Sequence, residues 1–217
     1  MERIGIYGGT FNPPHVGHIQ AAQAAMDALR LDRLLLIPAF QTPEKAAPEV
    51  SGEHRLQMLR LAASSGMEVS DIELARGGVS YTVQTLAQLR QENPHAQLVL
   101  CVGSDKFLNL HNWKDPHEIC RMAQIAVLYR GDKGEKEKIQ EQKKRLEAAG
   151  ADITIVENPV ISISSSNLRR MLAFGCGAEF LPEGVADYIR HNGLYDTRKN
   201  WKQLPMEQLE KIVMGLL

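Results

Sequence analysis

Apolar residues fall into short, nearly unbroken runs, and between the runs they recur every three or four positions. Residues 4–7, 34–37, 97–102, 125–129 and 153–156 are of the first kind. They predict strands buried on both faces, because a strand with one wet face would alternate instead. Residues 67–74 form a sixth strand candidate. Residues 16–29 are alanine-rich and read as a helix. Residues 53–64, with Leu56, Leu59 and Ala63 on one face, and 81–91, with Val83, Leu86 and Leu89 inward, follow the same spacing. A charged helix is expected over 139–149, its mixed signs marking a solvated face. Residues 41–52 hold prolines and a glycine and read as a loop. After Ser164 the strands stop, and helices are expected over 166–174 and 182–191, separated by Gly175 and Gly177. Strands alternating with helices predict an α/β fold: a doubly wound, mainly parallel sheet with helices on both faces and a C-terminal helical segment. Ligands of such sheets bind beyond the carboxyl ends of the strands. Residues 1–196 are expected to form a single domain. Residues 197–217 read as a tail of unknown role with a short helix from Met206. A contact between copies of the chain, giving a homo-oligomer, and the stub of a second module are its two readings.

Charge narrows the choice of partner. The 217 residues carry 25 Lys and Arg against 26 Asp and Glu, a net charge of −1, which argues against a broad nucleic-acid or membrane-binding surface. It leaves room for a compact phosphate site built from local cations and backbone N–H groups. The three cysteines are far apart in sequence and odd in number, so neither a disulfide framework nor a CxxC metal knuckle is expected, and a reducing cytoplasm is the simplest compartment. No apolar run reaches the roughly 20 residues of a membrane span.

The most informative stretch follows the first strand: Gly8-Gly9-Thr10-Phe11-Asn12-Pro13-Pro14-His15-Val16-Gly17-His18. Two glycines allow a tight turn and close approach to a ligand. The helix that follows offers free N–H groups and the positive end of its dipole, a natural seat for phosphate. His15 and His18, three apart across that helix start, can face one anion. A zinc site would need further ligands that the surroundings do not offer, so no metal site is expected here. No Gly-Lys-Ser/Thr follows, as a Walker loop requires, and the GxGxxG dinucleotide fingerprint is absent. At the end of the sheet Ser164, Ser165 and Ser166 sit at a helix start, where serines cap the first turn and present hydroxyls to anions. Arg169 lies one turn on and can fork onto phosphate oxygens.

Further residues fall near the same strand ends. Asp105 in Gly103-Ser104-Asp105 can accept from ribose hydroxyls, or simply cap a turn. Trp113, in a polar loop, is placed to stack on a planar base or to anchor the loop. Gly78-Val79-Ser80-Tyr81-Thr82-Val83-Gln84-Thr85 opens a helix whose N–H groups and Thr85 could meet a carboxylate, or is an ordinary start capped by Ser80.

GGTFNPPHVGH resembles the signature of the nucleotidyltransferase superfamily with a T/HxGH motif, and Ile163-Ser164-Ser165-Ser166-Asn167-Leu168-Arg169 resembles its ISSTxIR-type triphosphate motif. The GSD…W and SYT…T segments, the His54-Arg55 pair and Asn192-Gly193-Leu194-Tyr195 are similar to the bacterial nicotinate mononucleotide adenylyltransferases over residues 1–196. The resemblance implies a Rossmann-like sheet and transfer of adenylate from ATP to nicotinate mononucleotide, giving nicotinic acid adenine dinucleotide and pyrophosphate in NAD biosynthesis. It implies Mg²⁺ held mainly by the ATP phosphates, and neither nucleic acid nor membrane as partner. His15, His18 and Arg169 would be catalytic. Gly8, Gly9, Thr10, Phe11, Gly17, Gly103, Asp105 and the three serines would bind ATP. Lys45, Tyr81, Thr82, Thr85 and Trp113 would bind the mononucleotide. Asn12 stands where Asp is common. Nicotinamide mononucleotide or pantetheine phosphate as acceptor, and a non-catalytic nucleotide-binding regulatory domain, are the alternatives.

Overall fold

A computed structural model describes residues 1–43, 46–129, 134–161 and 163–195. Six strands form one sheet: β1 Arg3–Gly9, β2 Arg33–Pro38, β3 Met67–Val69, β4 Gln97–Gly103, β5 Gln124–Leu128 and β6 Ile153–Val156. Every neighbouring pair is parallel, in the order β3-β2-β1-β4-β5-β6. This is the doubly wound Rossmann-like arrangement, with its topological switch between β1 and β4. The central strands are buried almost throughout, which is why they read as continuous apolar runs.

The helices are α1 Val16–Leu29, α2 Gly52–Ala62, α3 Ile72–Arg76, α4 Thr82–Glu92, α5 Ser104–Leu108, α6 Pro116–Met122, α7 Glu135–Glu147, α8 Ser165–Ala173 and α9 Val185–His191. Alternate strand residues feed opposite cores. Ile4, Ile6, Leu35 and Ile37 pack under α4 and α6 with Leu86, Leu89, Ile119 and Phe107. Leu34, Leu36, Val99 and Cys101 face α1, where Ala21, Ala22 and Ala25 leave the helix close to the sheet. A third cluster joins α2 to α8 and α9 through Met58, Leu168, Val185 and Ile189. No described helix is long and apolar enough to cross a membrane.

The sixth strand differs from expectation. Only Met67–Val69 pair with β2, at the sheet edge. Beyond Ser70 and Asp71 the chain turns into α3, burying Ile72 and Glu73, so residues 72–74 are helical. The segment expected as a polar loop before Trp113 holds α5 and a 3-10 turn, Leu110–Asn112. The last helix starts three residues later than expected, after Gly184 in the left-handed region (φ 77°). The expected tail, 197–217, and its short helix lie outside the described residues.

Candidate active site

The carboxyl ends of β1 and β4 open onto a cavity of about 690 Å³, within the range of small-ligand sites. It is lined by Gly8, Gly9, Thr10, Phe11 and Asn12, by both histidines, and by all three serines and Arg169. Gly103, Asp105, Tyr81, Thr82, Thr85 and Trp113 line it too. The fold thus brings together residues read as sites from segments more than 150 positions apart. Lys45 lies outside the described residues, and Gly17 does not line the cavity.

The loop from β1 to α1 is built around Phe11. Its backbone is left-handed (φ 47°) and its ring is buried, packing edge-on against Tyr7 and against His18 at 5.1 Å. His15 then caps α1 in extended conformation. Its backbone N–H donates to Nδ1 of His18 at 3.2 Å, and the two imidazoles stack with centroids 3.6 Å apart. A nitrogen that accepts carries no proton, so the neutral imidazole that holds this contact carries its proton on Nε2, as a donor suited to an anion. Gly17 explains itself here. A Cβ at that position would come within 3.1 Å of His15 Nδ1 and 3.2 Å of its Cε1, so the glycine is the space over which the His15 ring folds.

The second motif braces the first. The Ser164 hydroxyl accepts from Asn167 N–H and caps α8. Ser165 Oγ donates to the Pro13 carbonyl at 3.0 Å, and Arg169 Nη1 donates to the Asn12 carbonyl at 2.7 Å. Arg169 retains further N–H donors for a ligand. Arg55 of α2 completes the brace. It is 2% exposed, and it donates to the carbonyls of Thr10 (2.9 Å), Ala39 (2.7 Å) and Val50 (3.3 Å). Burial lowers its pKa, but an arginine stays charged at any physiological pH. The sequence marked it only as half of the His54-Arg55 pair and as a charge on the helix face that also carries Leu59 and Ala62, with no role attached.

On the other side of the cavity Tyr81, not Ser80, caps α4. Ser80 Oγ instead accepts from Phe40 N–H. The Thr85 hydroxyl is already engaged, donating to the buried Glu73 at 2.7 Å and accepting from Arg76 at 2.9 Å. Glu73 lines the cavity and Arg76 holds Thr85; sequence reading missed both, because α3 was missed. Trp113 is half-buried against the main core. Beside it, Lys114 Nζ sits 4.7 Å over the Tyr81 ring. Among the described residues no group of three His, Cys, Asp or Glu could hold a metal ion. Position 12 offers a neutral amide.

Comparison with known proteins bears on family and fold. Residues 6–171 match the family model described as cytidylyltransferase-like. A probable nicotinate-nucleotide adenylyltransferase of Gemmatimonas aurantiaca is 38% identical over 199 residues, covering 89% of this chain and 92% of that one. One of Neisseria meningitidis is 35% identical over 205 residues, covering 90% and 100%. The nicotinic acid mononucleotide adenylyltransferase of Plasmodium falciparum complexed with NaAD superposes with a TM-score of 0.72 at 19% identity, over 90% of this chain and 98% of that one, a likeness of fold. By sequence, the chain belongs to the cytidylyltransferase-like family, among its nicotinate-nucleotide adenylyltransferases.

Proposed function

We propose that this enzyme joins ATP and nicotinate mononucleotide to give nicotinic acid adenine dinucleotide and pyrophosphate. The observation that carries the reading is the stacked His15 and His18 pair at a helix start, braced by Ser165 and Arg169, at the mouth of a cavity with an aromatic acceptor wall. An oxygen of the mononucleotide phosphate attacks the α-phosphorus of ATP. The bond from that phosphorus to the bridging oxygen breaks, and pyrophosphate leaves with the electron pair. The attacking phosphate is already anionic, so no strong base is needed, and the rate comes from alignment and from stabilising charge.

His18 Nε2–H and His15 donate to the phosphates. The free N–H groups of Arg169, with Ser166 and the first turn of α8, hold the β and γ groups. Gly8, Gly9 and Thr10 let the nucleotide approach the end of β1, and Asp105 accepts from ribose hydroxyls. Mg²⁺, held mainly by the ATP phosphates, would neutralise charge there. The donor set fits an ion held mainly by substrate, since position 12 offers a neutral amide and no three His, Cys, Asp or Glu gather among the described residues. Trp113 stacks on the pyridine ring. The amides opening α4, with Tyr81 and Thr82, receive the carboxylate, and Thr85, its proton spent on Glu73, braces that wall. Lys45 belongs to the same reading as a phosphate contact. The three cysteines are free, which supports a reducing compartment.

The test is pyrophosphate release from ATP with nicotinate mononucleotide, nicotinamide mononucleotide and pantetheine phosphate offered separately. Release is expected to be fastest with the first. Faster release with either of the others overturns the acceptor assignment, and no release with any overturns the reaction.

A further inference from the structure

The loop that delivers His15 has no strand or helix of its own between Thr10 and Pro14, so its shape is set by what grips it. Three of the grips are on its backbone: Arg55 on the Thr10 carbonyl, Arg169 on the Asn12 carbonyl and Ser165 on the Pro13 carbonyl. The fourth comes from the far end of the described chain. Tyr195, beyond α9, donates its hydroxyl to Oδ1 of Asn12 at 2.6 Å, across 183 positions. Asn12 is 5% exposed and lines the cavity, whereas Tyr195 does not line it. The phenol therefore holds Asn12 from behind. No other hydrogen bond reaches the Asn12 side chain among the described residues.

We propose that Tyr195 is a positioning residue for adenylyl transfer: its hydroxyl fixes Asn12, and through Asn12 the path of the loop that places His15 and His18 at the phosphates. The inference rests on the adenylyltransferase reading. Tyr195 touches no substrate; it acts through Asn12, three residues before the cap of α1. Its backbone stands in the left-handed region (φ 58°), an unusual conformation for a tyrosine that turns it away from the end of α9. The phenol is anchored by the third hydrophobic cluster, which joins α2, α8 and α9. Burial raises its pKa well above the ordinary tyrosine value, and the nearby Arg169 and Arg55 pull it back without cancelling that rise. The hydroxyl thus keeps its proton and remains a donor throughout the working pH range. An acceptor is all it needs at position 12, so Asn and Asp serve alike for this contact.

The experiment is a double-mutant cycle on Tyr195 and Asn12, read in kcat and in both KM values. Tyr195→Phe keeps the ring and its packing. It is expected to lower kcat about tenfold with each KM within about twofold, since alignment rather than binding is lost. In an Asn12→Ala background the same change should cost less than twofold, because there is no longer an amide to fix. In an Asn12→Asp background, which keeps the acceptor, the roughly tenfold cost of Tyr195→Phe should persist. A wild-type kcat in Tyr195→Phe, or equal losses in the wild-type and Asn12→Ala backgrounds, overturns the proposal; the second result would mean that the tyrosine serves only packing. A readout independent of the acceptor is the ¹⁵N spectrum of the imidazoles. The ring signals of His15 and His18 should shift in Tyr195→Phe. Unchanged signals overturn the proposal even if the acceptor assignment stands, whereas shifted signals without turnover of nicotinate mononucleotide would fault the acceptor assignment alone.

Discussion

Gly17→Ala separates the needs of the helix from the needs of the site. An alanine should stabilise the first turn of α1 by about 0.5–1 kcal/mol, since glycine loses more backbone freedom on folding. For a chain of this size that is a rise of roughly 1–4 °C in Tm. The new methyl, however, would lie 3.1 Å from Nδ1 and 3.2 Å from Cε1 of His15, with Ile161 Cβ at 3.5 Å. Ordinary carbon contacts are about 3.5–4.0 Å, so the imidazole must yield by about 0.3–0.5 Å. It cannot yield freely, because it is stacked on His18 at 3.6 Å and its backbone N–H is tied to that ring. A misplacement of 1 Å can cost about 10²-fold in rate, so a shift of a third to half of that should lower kcat by about 3- to 10-fold. The variant is therefore expected to melt within about 2 °C of the wild type, or above it, while turning over about 3- to 10-fold more slowly. Steady-state pyrophosphate release and thermal unfolding on the same preparation decide it. A kcat equal to the wild type would refute the view that Gly17 exists to make room for His15.

His18→Ala should lower kcat by about 10²–10³-fold with an unchanged melting profile, because a donor to the transferring phosphate is lost; turnover near wild type would remove His18 from the chemistry. Trp113→Ala should raise the KM for the mononucleotide several-fold more than that for ATP, and an equal rise in both would place the ring outside the acceptor wall. Arg55→Met should lower Tm by about 6–12 °C, since leaving the Thr10 and Ala39 carbonyls without their donor costs about 3 kcal/mol in all; a smaller loss would mean that water replaces the guanidinium. Burial pushes the Cys101 thiol up to about 12. Its contribution to stability is full below pH about 9 and declines as pH rises toward 12, because only the unfolded chain releases that proton readily. Alkylation at pH 8 should mark the exposed Cys176 and spare Cys101 until the chain is unfolded.

The strands that line the switch point were legible because burial on both faces leaves an unbroken apolar run. The edge was not. In Met-Glu-Val-Ser-Asp-Ile-Glu-Leu the strand ends at Val69, and the helix that follows is only five residues long. Such a helix is too short to show a 3.6-residue period. The same brevity hid α5 and α6, and with them the support of Trp113. In the site, glycines, histidines and clustered serines announced themselves because each has a local reason to stand at a strand end or helix start. The contacts that hold them in place had no such mark. Arg55 reaches Thr10 across 45 positions and Tyr195 reaches Asn12 across 183, and no local pattern encodes a pairing over those separations. Arg169 was read as a phosphate ligand alone; the structure adds a second duty, since one of its donors is spent on the loop it faces.

The net charge of −1 bears on how a chain with no excess of cations can gather polyanionic substrates. Away from the cavity several cations are matched by carboxylates: Arg33 with Glu2 and Glu68, Arg121 with Glu118, Lys143 with Glu147. The two arginines that grip the loop are not. Arg55 and Arg169 donate to carbonyls and a serine, with no carboxylate partner among the described residues. Carbonyl dipoles make a buried guanidinium tolerable without cancelling its charge. Arg55 is nearly sealed from solvent, so its field is screened far less than that of a surface lysine. The N-terminal ends of α1 and α8 face the same space and add to it. The attraction for phosphate is thus set by where charge is left uncompensated rather than by the total, and the same two arginines that supply it also hold the loop in the shape that uses it.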